Sequence, residues 1–582
     1  MFAPLAFTKT YSMAAAALLS ITLVPVLMGY FIRGKIKPEH SNPLNRFMIW
    51  VYRPMINAVT RQPVLVLVIA AGLLVVGLWP ATKLGSEFMP DLNEGDLMYM
   101  PTTFPGISIG KAQQLLQQTD KLIYSVPEVK MVFGKIGRAE TATDPAPLTM
   151  IESVIQLKDP SEWRDGFSID DIKNELDQRL NIPGLTNAWV WPIKTRIDMQ
   201  STGIKTPVGI KIAGADLSVI QKIGKEIEQV LLEVPGTASA FAERVSGGRY
   251  VTIDIDREAA SRYALNIDDI QDVISTAIGG MNVTETVEGL QRYPVNLRYP
   301  RYVRDSLDQL KMLPVVTPGG QHIPLQAVAD LRIEDGPPMI KSENARLNGW
   351  IYVDIKGVDL GTYVAHAREV VSERIDLPAG YSIAWSGQYE YMQRAKEHLA
   401  IVIPVTIVTI MLLLFLNFRS MAEVLIILGT LPMALIGGLW LLYLLDYNLS
   451  VAVGVGFIAL AGVAVEIGVV MLVYLKQALK GRQLAADQAG RPMQREDVEH
   501  AVHDGALMRV RPIMMTVAAI IAGLLPIMLG SGTGSEVMRR IAAPMVGGMV
   551  SATILTLAVI PAIFLLWQRF HLRSSVSQNN SN

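Results

Sequence analysis

The sequence predicts a membrane α-helical bundle carrying a large external α+β domain of ferredoxin-like, split βαβ subdomains. Three observations predict it. Apolar runs long enough to cross a bilayer as helices recur towards both ends of the 582-residue chain. Between them, from about 83 to 396, lies mixed polar sequence in which strand and helix patterns alternate. One late apolar run, 449–475, holds a single ionisable residue, Glu466. A carboxylate at that depth costs roughly 2.5–3.5 kcal/mol on insertion scales, so such a residue generally faces a bundle interior or a water path and marks an ion or proton route.

The first spanning candidate is 11–32. It lacks a basic leader and a small-residue cleavage site, so it reads as a spanning helix and not a signal peptide. The basic run RGKIK at 33–37 places its end inside. Residues 41–63 suit a short amphipathic helix on the inner leaflet, with Leu44, Phe47, Met48 and Val51 along one face. The other spanning candidates are 63–80, 398–417, 421–445, 450–475, 511–530 and 537–568. The loop 476–510 carries Lys476, Lys480, Arg482, Arg491, Arg495 and Arg509 and reads as cytoplasmic. Gly454, Gly456, Gly462 and Gly468 are expected to let neighbouring helices approach closely.

In the external stretch, strands are expected at 96–104, about 130–135, 149–157, 187–193, 206–214, 350–357 and 381–387. Helices are expected at 111–129, 170–180, 217–236 and 362–375. Two helices end alike, in SVPEV and EVPGT, a weak internal repeat of one strand–helix–strand unit. Residues 244–345 interrupt the last unit as an insertion.

Several chemistries are excluded. There are no cysteines, hence no disulfide and no thiolate metal site. The histidines, 40, 322, 366, 398, 500, 503 and 571, form no metal-ligand pattern. Around Gly224-Lys225, Val219 and Glu226 stand where a phosphate-binding loop needs Gly and Ser/Thr. A near-zero net charge gives no case for nucleic acid. The chain holds 27 methionines, and three of them draw attention: Met100 and Met150 in expected strands, and Met199 just after a third. Met98 shares a strand face with Met100, as Glu152 does with Met150. Thioethers are neutral and soft; they suit Cu(I) or Ag(I) and need no deprotonation. They also serve as flexible core filler.

The stretches FAPLAFTKT, GSEFMPDLNEGDLMYMP, GKIGRAETATDPAP, RIDMQSTGIKTPVGIK, ENARLNGWIYVDI, GFIALAGVAVEIGVVML and RVRPIMMTVAAIIAGLLP closely resemble the heavy-metal efflux branch of the resistance–nodulation–division (RND) transporters, and within it the copper/silver pumps. The resemblance runs over essentially the whole chain and covers the C-terminal half of such a pump. It implies an inner-membrane component of a tripartite system that exports Cu(I) or Ag(I) by proton antiport. No permanent cofactor is implied, because the metal is cargo. The implied partners are a homotrimer, membrane lipid, a periplasmic adaptor, an outer-membrane channel and the N-terminal half of the pump. Met100, Met150 and Met199 match the family's metal ligands, and Glu152, Arg196 and Lys205 match their polar neighbours. Met13 and Met538 match a metal path, and Glu466 a proton relay. Met281 lies one residue off register from a further path methionine. Ile513 stands where copper/silver members carry a relay Lys.

By the same resemblance, 1–40 is a spanning helix, 41–62 the surface helix and 63–82 a second span. Residues 83–243 and 346–396 are periplasmic porter subdomains, with 244–345 a docking insertion. Residues 397–475 and 511–570 hold the remaining spans, 476–510 is a cytoplasmic loop and 571–582 a tail. The rivals are an RND exporter of drugs or divalent metal, and a truncated, non-transporting metal-binding or assembly subunit.

Overall fold

The computed structural model describes residues 3–32, 43–90, 92–137, 146–530 and 532–579. The basic run at 33–37 and residues 138–145 lie outside the described residues. Among those described, seven helices are long and apolar enough to cross a membrane, the number expected. Most are longer than their apolar runs.

The membrane part begins with α1 (Ala3–Phe31), α2 (Pro43–Arg61) and α3 (Pro63–Leu78). A helix is present over the expected surface-helix segment as α2, and it has a second apolar face. Tyr52, Ile56 and Val59 are buried in the main apolar cluster, and the Tyr52 hydroxyl donates to the Leu557 carbonyl at 2.8 Å. Phe47, Trp50 and Val51 are exposed. Packing on neighbouring helices decides which apolar stripe turns inward, and α2 carries two.

The mixed region starts with β1 (Asp96–Tyr99), α4 (Ile109–Tyr124), β2 (Val129–Ile136), β3 (Ile151–Leu157), α5 (Ile169–Arg179) and β4 (Trp189–Val190). These strands form one sheet in the order β2-β3-β1-β4, every neighbour antiparallel. Next comes α6 (Pro192–Thr202), where the sequence reading saw a strand and its exit. Pro192 opens it, and the Glu94 carboxylate accepts the amides of Ile193 at 2.8 Å and Lys194 at 2.9 Å. That cap comes from about a hundred residues away, beyond the reach of a local pattern.

A second unit follows: β5 (Val208–Gly214), α7 (Leu217–Leu232), β6 (Thr237–Ala242), then after an insertion β7 (Arg346–Ile355), α8 (Leu360–Arg374) and β8 (Ser382–Gly387). Its sheet order, β6-β7-β5-β8, repeats that of the first unit. Ile220, Ile223, Ile227 and Leu231 line one face of α7 and bury against Ile210, Ile212, Ile351 and Val353. Gly224 lies buried in mid-helix and not in a loop. The insertion is framed by an antiparallel pair, Gly248–Ile255 with Ala329–Gly336, and has its own apolar core.

From Gly387 the chain passes directly into α9 (Gln388–Phe418), then α10 (Met421–Leu428), α11 (Leu431–Leu444), α12 (Val451–Gln488), α13 (Arg495–Leu529) and α14 (Ser535–Asn579). The expected cytoplasmic loop 476–510 is therefore mostly helix. Ala, Leu, Gln and Lys after 476 are good helix formers, and a Gln494/Asp497 capping box restarts the chain as α13. The turn between them includes Gly490 at φ +62°.

α14 is the hub: α2, α3, α11, α12 and α13 all pack on it. Small residues allow this. A Cβ on Gly437 of α11 would lie 2.1 Å from the Gly547 carbonyl oxygen, and one on Gly547 2.3 Å from that of Gly437. Of the glycines singled out in the sequence, a Cβ on Gly456 would lie 2.4 Å from the Ile541 carbonyl oxygen and one on Gly468 would make ordinary contact, whereas Gly454 and Gly462 face open space. The junction with the mixed region is polar. Glu87 accepts Arg540 Nε and Asn448 Nδ2, each at 3.1 Å, and Ser86 N donates to Asp359 Oδ2 at 2.8 Å.

Gly547→Leu and Gly456→Leu should each destabilise the bundle by at least the roughly 1–3 kcal/mol typical of overpacking. Gly462→Ala should leave the melting temperature unchanged. Thermal unfolding in detergent reads both; a loss at Gly462 equal to that at Gly547 would contradict this packing.

Candidate functional site

A cavity of about 380 Å³ opens between the two sheets of the mixed region. The antiparallel register of β1 on β3 sets its floor. The pairing of Tyr99 with Ser153 continues to the bridge between Thr102 and Met150, so Met100 stands across from Glu152. Met98, Met150 and Glu152 line the cavity from this sheet, and Arg196 and Met199 line it from α6. Met100 is fully buried, its amide donating to the Ala188 carbonyl at 2.9 Å.

Thus Met150, Met199, Glu152, Arg196 and Lys205, expected together, do converge on one cavity, whereas Met100 is not among its lining residues and reaches it only through its carbonyl, which accepts Lys205 Nζ. Met98 joins them on the wall itself; its shared strand face with Met100 was the signal available in the sequence. The opposite wall was not anticipated. It includes Glu243, Lys341, Trp350 and Tyr352, which come together only through sheet pairing.

Gly203 makes the close approach possible. It ends α6 at φ +78°, and a Cβ there would lie 2.2 Å from the Trp350 ring. A side chain would push α6, with Met199 and Arg196, off the second sheet.

The charges are held in pairs. Glu152, 6% exposed, receives Lys135 Nζ at 3.0 Å and Arg196 Nη2 at 3.3 Å on one oxygen. Glu243 accepts the Tyr352 hydroxyl at 2.8 Å and also pairs with Lys341. Lys205 is buried; its ammonium donates to the Met100 carbonyl at 2.8 Å and to Thr102 Oγ1 at 2.6 Å. Burial pushes its pKa down to about 7; Glu243 and Glu152 oppose that shift and Lys341 adds to it. With its carboxylates already paired, the cavity offers a cation thioethers more than free negative charge. No group of three or more His, Cys, Asp or Glu that could hold a metal occurs among the described residues.

The remaining expected site residues lie in the membrane part. Glu466 is exposed, on a stripe of α12 that includes Gly454, Ile458 and Gly462. It is not enclosed by the described helices, because α12 packs on α13 and α14 through Gly456, Leu460, Ala464 and Ile467. Met13 is 63% and Met538 38% exposed. Met281 is exposed on a hairpin of the insertion. Ile513, 3% exposed, is packed in the main cluster and leaves no cation there.

A bundle of spanning helices joined to paired mixed subdomains, with a methionine-lined cleft between the sheets, defines a multi-pass membrane protein of the RND, AcrB-like fold. Residues 1–568 match the AcrB/AcrD/AcrF family, and the chain belongs to that family. It is 52% identical over 572 residues to the cation efflux system protein CusA of Escherichia coli O157:H7, covering 98% of this chain and 54% of that protein. Against the putative cation efflux system protein SilA of Salmonella typhimurium it is 52% identical over 576 residues, covering 99% and 55%. A crystal structure of a heavy metal efflux pump aligns with TM-score 0.80 at 29% identity, covering 91% of this chain and 52% of that one. The resemblance to heavy-metal efflux pumps of the CusA/SilA type, read from the motifs, therefore stands. The chain spans about half the length of the curated relatives it matches.

The Lys205 shift has a definite sign. A lysine whose folded pKa lies below its unfolded value of about 10.4 costs stability. The cost is absent above that value, grows as pH falls towards 7, and is constant below. The melting temperature of wild type relative to Lys205→Met should therefore decline between pH 10 and 7 and then level off. A difference independent of pH would show that Lys205 stays charged throughout.

Proposed function

We propose that this chain forms part of the bacterial inner-membrane component of a tripartite efflux system that exports Cu(I) or Ag(I) in exchange for protons, acting as a secondary transporter and not an enzyme. The observation that carries the reading is the convergence of Met98, Met150 and Met199 on one cavity, with Met100 buried just past the strand that carries Met98. Soft thioethers select soft monovalent cations and disfavour Zn²⁺, which prefers nitrogen, thiolate or carboxylate ligands. Met100, Met150 and Met199 serve as ligands, and Glu152, paired with Lys135 and Arg196, and Lys205 hold the walls. The 52% identity to CusA supports the cargo assignment.

The mixed region is periplasmic in this reading. Its two units are ferredoxin-like porter subdomains, supported by the βαββαβ chain order and the sheet order repeated in both. They occupy 83–243 and 346–396, and 244–345 is a docking insertion. Met13 and Met538 belong to a membrane metal path. Glu466 moves protons only when a matching set of helices, such as the N-terminal half of the pump, covers its face of α12. The working unit is a trimer in the membrane, joined to a periplasmic adaptor and an outer-membrane channel. Trp350, Tyr352 and Phe241 on the far wall favour a second reading, an apolar cargo.

Titration with Ag⁺ separates the readings. Substituting Ile for Met150 and Met199 together should lower Ag⁺ affinity at least tenfold with little change in fold, because the volumes are similar. Unchanged affinity would overturn the metal site. In a chain joined to a related N-terminal half and reconstituted in vesicles, Glu466→Gln should abolish metal-dependent proton flux and spare Ag⁺ binding. Retained flux would make Glu466 structural.

A further inference from the structure

At the end of the bundle away from the mixed region, a second cavity of about 540 Å³ opens between the ends of α9, α10, α12 and α14. We propose that it binds the phosphate of an anionic diester phospholipid headgroup, with phosphatidylglycerol as its best fit.

Its position comes first. Lys476 lies 25 residues beyond the start of α12 at Val451. At 1.5 Å per residue that is about 37 Å, past a hydrocarbon core of about 30 Å and at headgroup depth. The surface is built for the task. Val473, Lys476, Gln477, Lys480 and Gln483 lie on one face of α12, at helical spacing, and all line the cavity. Asn417 closes it from α9 and Gln568 from α14, so four carboxamides converge on it. These can donate to phosphate oxygens and to glycerol hydroxyls.

The charge also matches. Glu423 is 4% exposed and holds Lys476 at 2.9 Å, which fixes that ammonium in place and cancels its charge. Lys480 remains, giving the lining a net charge of about +1, against the −1 of a phosphodiester. Phe418 and Leu479 supply apolar wall, and the Phe418 ring lies 5.7 Å from the Lys476 ammonium. A basic pocket between helix ends on the cytoplasmic side is the kind of place where anionic headgroups bind. The metal reading plays no part in this inference.

The test is native mass spectrometry of the purified full chain in detergent, with phosphatidylglycerol or phosphatidylcholine of matched chains added. Lys480→Gln and Gln483→Ala change exposed positions and should leave the fold intact. Wild type should retain phosphatidylglycerol several-fold better than phosphatidylcholine. Lys480→Gln should lose about fivefold of that preference, the worth of one interfacial basic residue, and Gln483→Ala should also weaken it. Equal retention of the two lipids, or an unchanged preference in both variants, overturns the proposal. Full displacement by glycerol phosphate at concentrations that leave other bound lipid in place would assign the site to a soluble phosphate and overturn the lipid assignment.

Discussion

The buried carboxylate of Glu152 is the constraint on which the cleft depends. A charge taken out of water must be paired, or the site around it fails. Glu152 is paired from two directions, by Lys135 on the neighbouring strand β2 and by Arg196 on α6. Arg196 cannot reach it unless α6 lies against the sheet, and Met199 lies three residues further along the same helix. Satisfying one acid therefore also sets the distance between the methionines of the strands and that of the helix.

The helix α6 is tied at its far side as well. Lys194 and Asp198 form a buried pair at 2.9 Å, and Asp198 also accepts Gln388 Nε2 at 3.3 Å. Gln388 is the first residue of the spanning helix α9. The chain that carries a candidate ligand is thus one hydrogen bond from a membrane helix. A second tie, Glu87 with Arg540, joins the mixed region to the hub helix α14. Both are polar links between rigid elements, the kind of contact that can exist in two arrangements and transmit a displacement.

The electrostatics of the cleft leave little unpaired carboxylate charge and bear on the metal proposed to bind there. Glu152 already has Lys135 and Arg196 as cationic partners and Glu243 has Lys341, and Lys205 lies beside them. A hard divalent ion would have to compete with those cations for the same oxygens. A soft monovalent ion gains from polarisable sulfur instead and needs little of the site's charge. In the membrane part the open faces follow the same logic of partners. Glu466 and Gly462 share a stripe of α12 that none of the described helices covers.

Much of this molecule was legible in its sequence because two periodicities carry the information. Apolar runs of about twenty residues read as helices long enough to span a membrane, so the seven membrane-capable helices among the described residues were readable. Alternation and helical spacing likewise marked most elements of the mixed region. The methionines could be paired by strand face, since side chains two apart point the same way. What the sequence could not hold was anything set by partners distant in the chain. The helix carrying Met199 looked like the exit of a strand, because its cap comes from Glu94. Which side of α2 packs on the protein could not be read, because it carries two apolar stripes and packing on α14 takes the one with Tyr52. Local pattern also cannot tell a glycine that packs, Gly456, from one that faces open space, Gly462, nor place an acid inside or outside a bundle. Local sequence determines backbone conformation through short-range sterics and hydrogen bonding; which side of an element is buried is decided only when distant elements compete for the same surface.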